Sequence, residues 1–346
     1  MSYPTTDQRE IDQALAWLNR YWNKPVEPVY YSPDTIEEAL SILESHGKEA
    51  KILAGGIDLL GLMKNKVLSP RALVNIKNIE GLNSIDEKET SIEIGALTTI
   101  HDIEASPLIR EKLPLLLELT RSIGSPQIRN MATLGGNLCQ EVRCWYYRRS
   151  PHTGISYLCR RKEEGRGCYA VSGENENHAI FGETECYAVS PSDAATGLVA
   201  LNAEIRTANR DGGRTMAIGN FHTSLGNILE PDEIITHISI PQPKPDTAQR
   251  FLKFRPREAI DFATVSVASV ITNVRGRIGD AKIVLGGVSP APYEAVRARE
   301  VLLGKVLTED LVEKAAGAVA ADAMPLSKNG YKVRLVKALI KRSLLE

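Results

Sequence analysis

The chain has 346 residues, 43% apolar and 25% charged, with a formal net charge of −1. This is the mix of an ordinary globular protein with material for more than one buried core, and its near-zero charge excludes a global field aimed at nucleic acid or an anionic membrane. No uncharged apolar run approaches the roughly 18 residues of a bilayer span, and "MSYPTTDQREIDQALAW" lacks the basic end and apolar centre of a secretory signal. A cytoplasmic location is expected, where thiols stay reduced.

Residues 1–26 read as a polar arm with a short helix in "QREIDQALAWLNRYW". "SPDTIEEALSILESHG" follows with an N-cap at Asp34 or Thr35, apolar positions at Ile36, Ala39, Leu40 and Leu43, and Gly47 as its stop. "AKILAGGIDLLGLMKN" gives a short apolar strand, a glycine pair and a helix start. "RALVNI" reads as a buried strand, and "TSIEIGALTTIHDI" as an alternating strand running into a turn or helix. Residues 107–123 have helical period with a break at Pro114. "SDAATGLVALNAEIRTANRDGGR" predicts a helix and then a hairpin strand. Beyond about residue 230 the pattern turns strand-rich: "DEIITHISIP", "RFLKFRPR", "FATVSVASVITNV" and "AKIVLGGV", with Gly276 and Gly279 at the last hairpin. Three helices close the chain, in "PYEAVRAREVLLG", "TEDLVEKAAGAVAADA" and "NGYKVRLVKALIKRSLL".

All five cysteines fall between residues 139 and 186, in a segment rich in Arg, Gly, Glu and Asn that lacks a sustained period. So long an irregular excursion calls for an internal anchor. Five is odd for a disulfide framework, and the spacing contains no C-x-x-C and no finger-like Cys–His pair. On spacing alone, a metal site, scattered core thiols and a redox thiol pair all stay open.

Two glycine loops stand out. "LAGGIDLL" at 53–60 places Gly55 and Gly56 between a strand and a helix, where backbone amides can face an oxyanion. It lacks the G-x-G-x-x-G pattern, which counts against a Rossmann fold. "ATLGGNL" at 132–138 is the second, with Thr133 and Asn137 able to donate from their side chains. Each loop alone is also the signature of a plain tight turn; together they could grip one long diphosphate cofactor.

"ILAGGIDLL", "IGSPQIRNMATLGGNL", "SPSDAATGLVALNAEI" and "FLKFRPREAIDFATVSVA", in that order, resemble the FAD-binding subunits of the molybdenum hydroxylases, the xanthine dehydrogenase and carbon monoxide dehydrogenase family. The likeness runs from about residue 27 to near the end. It implies an α+β protein: a two-subdomain α/β, non-Rossmann FAD-binding domain over 27–228 and a C-terminal antiparallel sheet with helices over 229–346. Carried across, Leu53, Ala54, Gly55, Gly56, Ile57, Asp58, Leu59 and Leu60 would wrap the FAD diphosphate. Thr133, Leu134, Gly135, Gly136 and Asn137 would form the second diphosphate loop. Ile123 would lie near the flavin, Asp193 would accept from the adenosine ribose, and Lys253 would sit near the cofactor. Asp193 reads equally as an N-cap for the apolar run that follows it.

Ordinary members of that family lack the cysteine-bearing insertion. "GNLCQEVRCWYY", "YLCRRKEEGRGC" and "ECYAVSPSDAA" resemble the 4-hydroxybenzoyl-CoA reductase branch of β subunits, whose extra segment holds a [4Fe-4S] cluster. That resemblance assigns Cys144, Cys159, Cys168 and Cys186 as ligands and leaves Cys139 a free thiol beside the second loop. Four thiolates suit a cubane; structural zinc is the chief rival. The gap from Cys168 to Cys186 is longer than in that branch, which leaves the substrate open. Arg148, Arg149, Arg160, Arg161 and Lys162 crowd the segment. They could stabilise a reduced cluster or steer an acidic carrier such as ferredoxin, or form a solvated basic face.

The function implied is an electron-transfer subunit without catalytic acid–base residues of its own. Its partners would be a large molybdopterin subunit and a small subunit with two [2Fe-2S] clusters, in a dimer of heterotrimers with no nucleic acid. In the reductase branch electrons would enter at the [4Fe-4S] cluster and cross FAD toward molybdenum; in a hydroxylase they would run outward. Two other readings are a single-chain FAD oxidoreductase and a zinc-stapled interaction scaffold.

Overall fold

The computed structural model describes residues 27–149, 157–162, 167–182 and 185–346. The expected N-terminal arm and its helix lie outside the described residues.

The first unit is a three-stranded parallel sheet in the order Val29–Tyr31, Ala72–Asn75, Ala50–Leu53. The helix Ile36–His46 covers it with Ala39, Leu40 and Leu43. Thr35 rather than Asp34 caps this helix, accepting from Glu38 N, and Gly47 ends it at φ 51°.

The second unit is a five-stranded antiparallel sheet, ordered Ile85–Glu87, Ser91–Gly95, Ile234–Pro241, Glu204–Ala208, Thr215–Ala217. Alternation in "SIEIG" buries Ile92 and Ile94 against the helices. The run after residue 107 is two helices, Pro107–Lys112 and Pro114–Ser122. Pro114 opens the second, where its missing N–H costs nothing. Every residue of the helix Asp193–Ala200 is buried. Gly197 lets it touch Pro114–Ser122, since an added Cβ would lie 2.2 Å from Leu119 Cδ2.

The strand Ile234–Pro241 pairs inside this middle sheet. The next sheet begins at Thr247. That unit is a four-stranded antiparallel sheet, Thr247–Phe254, Val265–Val274, Arg277–Gly286 and Tyr293–Glu294. Arg275 and Gly276, both at positive φ, make the long hairpin turn; Gly279 sits inside the second strand, not in the turn. The helices Val296–Leu302, Glu309–Ala320 and Tyr331–Leu345 pack on one face, bringing Val312, Ala316, Val336 and Ile340 against Val265, Val267, Ile283 and Leu285. The architecture is thus mixed helix and sheet, two helix-and-sheet units followed by an antiparallel sheet with helices. Among the described residues no helix is long and apolar enough to cross a membrane.

Among the described residues the cysteine-rich excursion has a small core of its own, Val142, Tyr147, Cys159, Cys186 and Ala188, resting on Leu62, Val67 and Leu68. The C-terminal unit supplies its second support. Asn329 Nδ2 donates to the carbonyls of His178 and Ala179 at 3.1 and 3.0 Å. Lys332, 1% exposed, donates to the carbonyls of Asn177, His178 and Gly287 at 3.0, 3.1 and 2.8 Å.

Burial pulls the Lys332 ammonium down to about 7 from its ordinary 10.5. The unfolded chain therefore binds more protons between those values, and stability rises as pH climbs through that window. Replacing Lys332 by Met should flatten this rise and, by orphaning three carbonyls, cost about 3 kcal/mol at neutral pH, read from urea unfolding at pH 7 and pH 9.5.

Candidate functional site

A cleft of about 520 Å³ opens where the three units meet. Its wall includes Ala54, Gly55, Gly56, Ile57, Asp58 and Leu59 from the first glycine loop, and Thr133, Gly135, Gly136 and Asn137 from the second. Ile123, Asp193 and Lys253 line it as well, so most of the residues expected to bind FAD face one space. Leu53, Leu60 and Leu134 are not part of the wall: Leu134 is fully buried in the middle core and Leu60 is half exposed.

The loops are neighbours because one residue has no side chain. A Cβ on Gly55 would lie 1.9 Å from the carbonyl oxygen of Met131, just ahead of the second loop. Gly56 turns the chain at φ 72°, and the helix Leu59–Lys64 begins three residues later. The second loop uses its backbone differently from the first. Its amides are already spent inside the protein: Leu134 N on Thr98 O, Gly135 N on Ala96 O, and Gly136 N on Thr133 Oγ1. Its remaining polar offer is the Thr133 hydroxyl hydrogen and the Asn137 amide NH2, since Asn137 Oδ1 accepts from Ser192 Oγ at 2.7 Å.

Ser192 caps the following helix, accepting from Ala195 N at 3.0 Å, so Asp193 is not the cap. Asp193 pairs with Lys253 Nζ at 2.7 Å, both side chains almost fully buried, and Lys253 also donates to Ser122 O. Cys139 lies on the cleft wall; burial, then the Glu141 charge, pushes its thiol up to about 12, so it is protonated at neutral pH.

Asp58 is used in a way the glycine motif does not announce. Its Oδ2 accepts the Glu141 N–H at 2.7 Å, and its Oδ1 meets Arg148 Nη2 at 2.6 Å and Arg143 Nη1 at 2.8 Å. Arg143 also covers the ring of Phe262, 4.6 Å from its centroid, and both residues line the cleft. Burial lowers Arg143 to about 10, against the pull of Asp58, and it stays charged. Glu141 carries the linkage on: its carboxylate pairs with Arg161 at 3.1 Å, and Arg161 Nε donates to Cys186 Sγ at 3.4 Å. A continuous path of hydrogen bonds thus joins the cleft to the cysteines.

Cys144, Cys159, Cys168 and Cys186 border a single enclosed space of about 10 Å³. Cys159 and Cys168 face each other across an isolated antiparallel bridge. Backbone N–H groups lower the thiol values somewhat, those of Tyr147 and Tyr146 at Cys144 and that of Arg161 at Cys159. Burial nonetheless pushes the Cys144 thiol up to about 11 and raises Cys159, so loading a metal would release protons. His178 Nε2 lies 3.4 Å from Cys144 Sγ. Burial, and then the Lys332 charge, push His178 down to about 4. Four thiols around one space are the donor set of a cubane. As the side chains stand, the space is the size of one water, so a cubane would require the four thiols to splay outward. Among the described residues no group of three or more His, Cys, Asp or Glu closes around a point as ligands of a metal ion.

The sequence matches the FAD binding domain in molybdopterin dehydrogenase over residues 24–243 and the CO dehydrogenase flavoprotein C-terminal domain over 250–346. The chain belongs to this family. Two curated members illustrate the distance. The aldehyde oxidoreductase FAD-binding subunit PaoB of Escherichia coli (strain K12) is 30% identical, over 90% of this chain and 94% of its own. The carbon monoxide dehydrogenase medium chain of Hydrogenophaga pseudoflava is 28% identical, over 91% and 95%. The solved carbon monoxide dehydrogenase from Hydrogenophaga pseudoflava that lacks the Mo-pyranopterin moiety superposes with a TM-score of 0.74 at 27% identity, covering 92% of this chain and 96% of that one. FAD is accordingly a cofactor of this chain.

Residues that sequence reading did not single out complete this family's cleft here. Ile260, Asp261 and Phe262 come from an irregular loop with no motif, and Arg143 and Glu141 belong to the insertion. The run of Arg in "EVRCWYYRR" was the one available signal for the Asp58 clamp.

Two outcomes follow. Gly55→Ala should push the loops apart and weaken FAD binding by at least about tenfold, about 1.4 kcal/mol, measured by flavin release on dilution. Lys253→Met strands a buried carboxylate and should cost about 3–5 kcal/mol; the double variant Asp193→Asn with Lys253→Met should unfold at higher denaturant than Lys253→Met alone.

Proposed function

We propose that this chain is the electron-transfer flavoprotein subunit of a molybdenum-dependent hydroxylase or reductase complex. In this reading it carries FAD in the cleft and a [4Fe-4S] cluster on Cys144, Cys159, Cys168 and Cys186. Its partners are a large molybdopterin subunit and a small [2Fe-2S] subunit, and it exchanges electrons with an external carrier such as ferredoxin. The organic substrate, of aromatic or aryl-CoA type, reacts on the molybdenum subunit. FAD supplies two-electron and one-electron chemistry and iron–sulfur centres supply single electrons.

The observation that supports the cluster assignment is that four separate cysteines line one space. Backbone N–H groups beside Cys144 and Cys159 favour thiolates over thiols. Arg161, with its side chain 5% exposed, adds a buried positive charge beside Cys186. It offsets the negative charge that four thiolates bring. Arg148 and Arg143 tie the same segment to Asp58 on the first FAD loop, holding the two sites in one body. At the cleft, the Asp193–Lys253 pair and the Thr133 and Asn137 side chains offer polar groups to the cofactor, and Ile123 and Phe262 offer apolar cover.

The test is composition and spectrum of the anaerobically purified complex. The reading expects about four iron and four acid-labile sulfides per flavin beyond the [2Fe-2S] centres. Cys168→Ser should lose that iron and keep the flavin. One zinc per chain without the extra sulfide would replace the cluster by a structural staple.

A further inference from the structure

Cys159 and Cys168 are placed by their backbones and not only by their side chains. They stand directly opposite each other in an isolated antiparallel bridge. The Tyr169 N–H donates to Leu158 O at 3.0 Å, so the hydrogen bond joins the residues that flank the pair. Cys159 and Cys168 are therefore a non-hydrogen-bonded pair, the register in which facing Cα atoms lie closest, at about 4.5 Å, with both side chains on one face. Disulfides span Cα separations of about 4.4–6.8 Å. Both cysteines border the same small space, which is too tight for a cubane as the side chains stand and ample for two sulfurs in bonding contact. Cys144 and Cys186 each lie against a side-chain nitrogen instead, His178 Nε2 and Arg161 Nε, both at 3.4 Å.

The register is held by its surroundings. The rings of Tyr157 and Tyr169 meet at 4.8 Å, and Tyr146 packs on both, at 5.0 and 5.2 Å. Tyr146 Oη accepts the Glu174 N–H at 2.6 Å, and the fully buried Asn175 donates to Ala170 O and to Ser327 Oγ. A turn closes directly behind each cysteine, with Lys162 N on Cys159 O and Val171 N on Cys168 O. Two thiols fixed face to face react with each other far faster than two thiols brought together by diffusion.

We propose that Cys159 and Cys168 are a reversible disulfide pair, closed when the four thiols hold no metal and opened by a thiol reductant before metal enters. The oxidant is a low-molecular-weight disulfide of the glutathione type. Cys168, the more exposed of the two, attacks it as a thiolate, forming a mixed disulfide and releasing one small thiolate. Cys159 then attacks the Cys168 sulfur and releases the second. Two protein thiols become one S–S bond, one small disulfide becomes two small thiols, and each leaving thiolate takes up the proton its attacker gave up. The pairing stands whatever metal the site takes; its bearing on loading rests on the reading of the four cysteines as ligands. While the pair is closed, two of the four donors are withheld from a wrong metal and from irreversible oxidation.

The experiment uses the full-length chain with its FAD, treated anaerobically with a chelator and then equilibrated with glutathione and glutathione disulfide at several ratios. Free thiols are alkylated and linked peptides are mapped by mass spectrometry. Cys159 and Cys168 should be joined, Cys144 and Cys186 should be alkylated, and dithiothreitol should undo the link. Zn²⁺ should bind the linked form at least about tenfold more weakly than the reduced form, since even the loss of an outer hydrogen bond to a ligand costs that much. Links from Cys159 to Cys144 or Cys186, mixed disulfides with glutathione alone, or thiols that stay free at every ratio overturn the pairing. A linked form that takes Zn²⁺ as tightly as the reduced one overturns the gate on loading. A reduced chain that takes up no iron with sulfide defeats the cluster reading instead, and leaves the mapped pair untouched.

Discussion

One carboxylate holds two parts of the chain that are far apart in sequence. Asp58 closes the first glycine loop, yet both its oxygens are taken by the insertion: the Glu141 amide on one, Arg143 and Arg148 on the other. With Glu141 and Arg161 added, two carboxylates face three guanidiniums. The group is partly buried, where charge interactions are stronger than in water. The surplus positive charge lies at the cleft lip through Arg143, which suits a diphosphate. The arrangement of the cysteines depends on the same contact, because Arg161 continues it to Cys186.

The cleft is built by close approach rather than by a long motif. Gly55 against Met131 sets the spacing of the two loops, and Gly197 against Leu119 seats the helix that carries Asp193. The amides of the second loop are consumed in holding it to the strand end at Ala96 and Thr98. A loop so occupied contributes shape and side chains to a ligand, and the first loop is left to supply backbone polarity.

Much of this was legible in the residues, for identifiable reasons. Helical and alternating patterns mark elements whose one face is buried, so Ile36–His46, Ser91–Gly95 and the C-terminal helices stood where periodicity put them. Pro114 split its helix because proline at that place admits little else. The strand Ile234–Pro241 was visible, but its sheet was not. Its partners are Ser91–Gly95 and Glu204–Ala208, and local pattern carries no record of a distant register. Gly279 looked like turn chemistry because glycine serves both turns and crowded strands; the turn took Arg275 and Gly276 instead. Asp58, Phe262 and His178 were beyond local reading for a common reason, since each is defined by a partner remote in the chain.

The clamp on residues 177–179 has a consequence in time. Asn329 and Lys332 leave the ribosome long after the last cysteine has been made. Domains tend to fold in order of synthesis, so the glycine loops and the middle sheet can form before the carbonyls of Asn177, His178 and Ala179 meet their side-chain donors. The last stretch to be made thus fastens a segment whose neighbours are already in place.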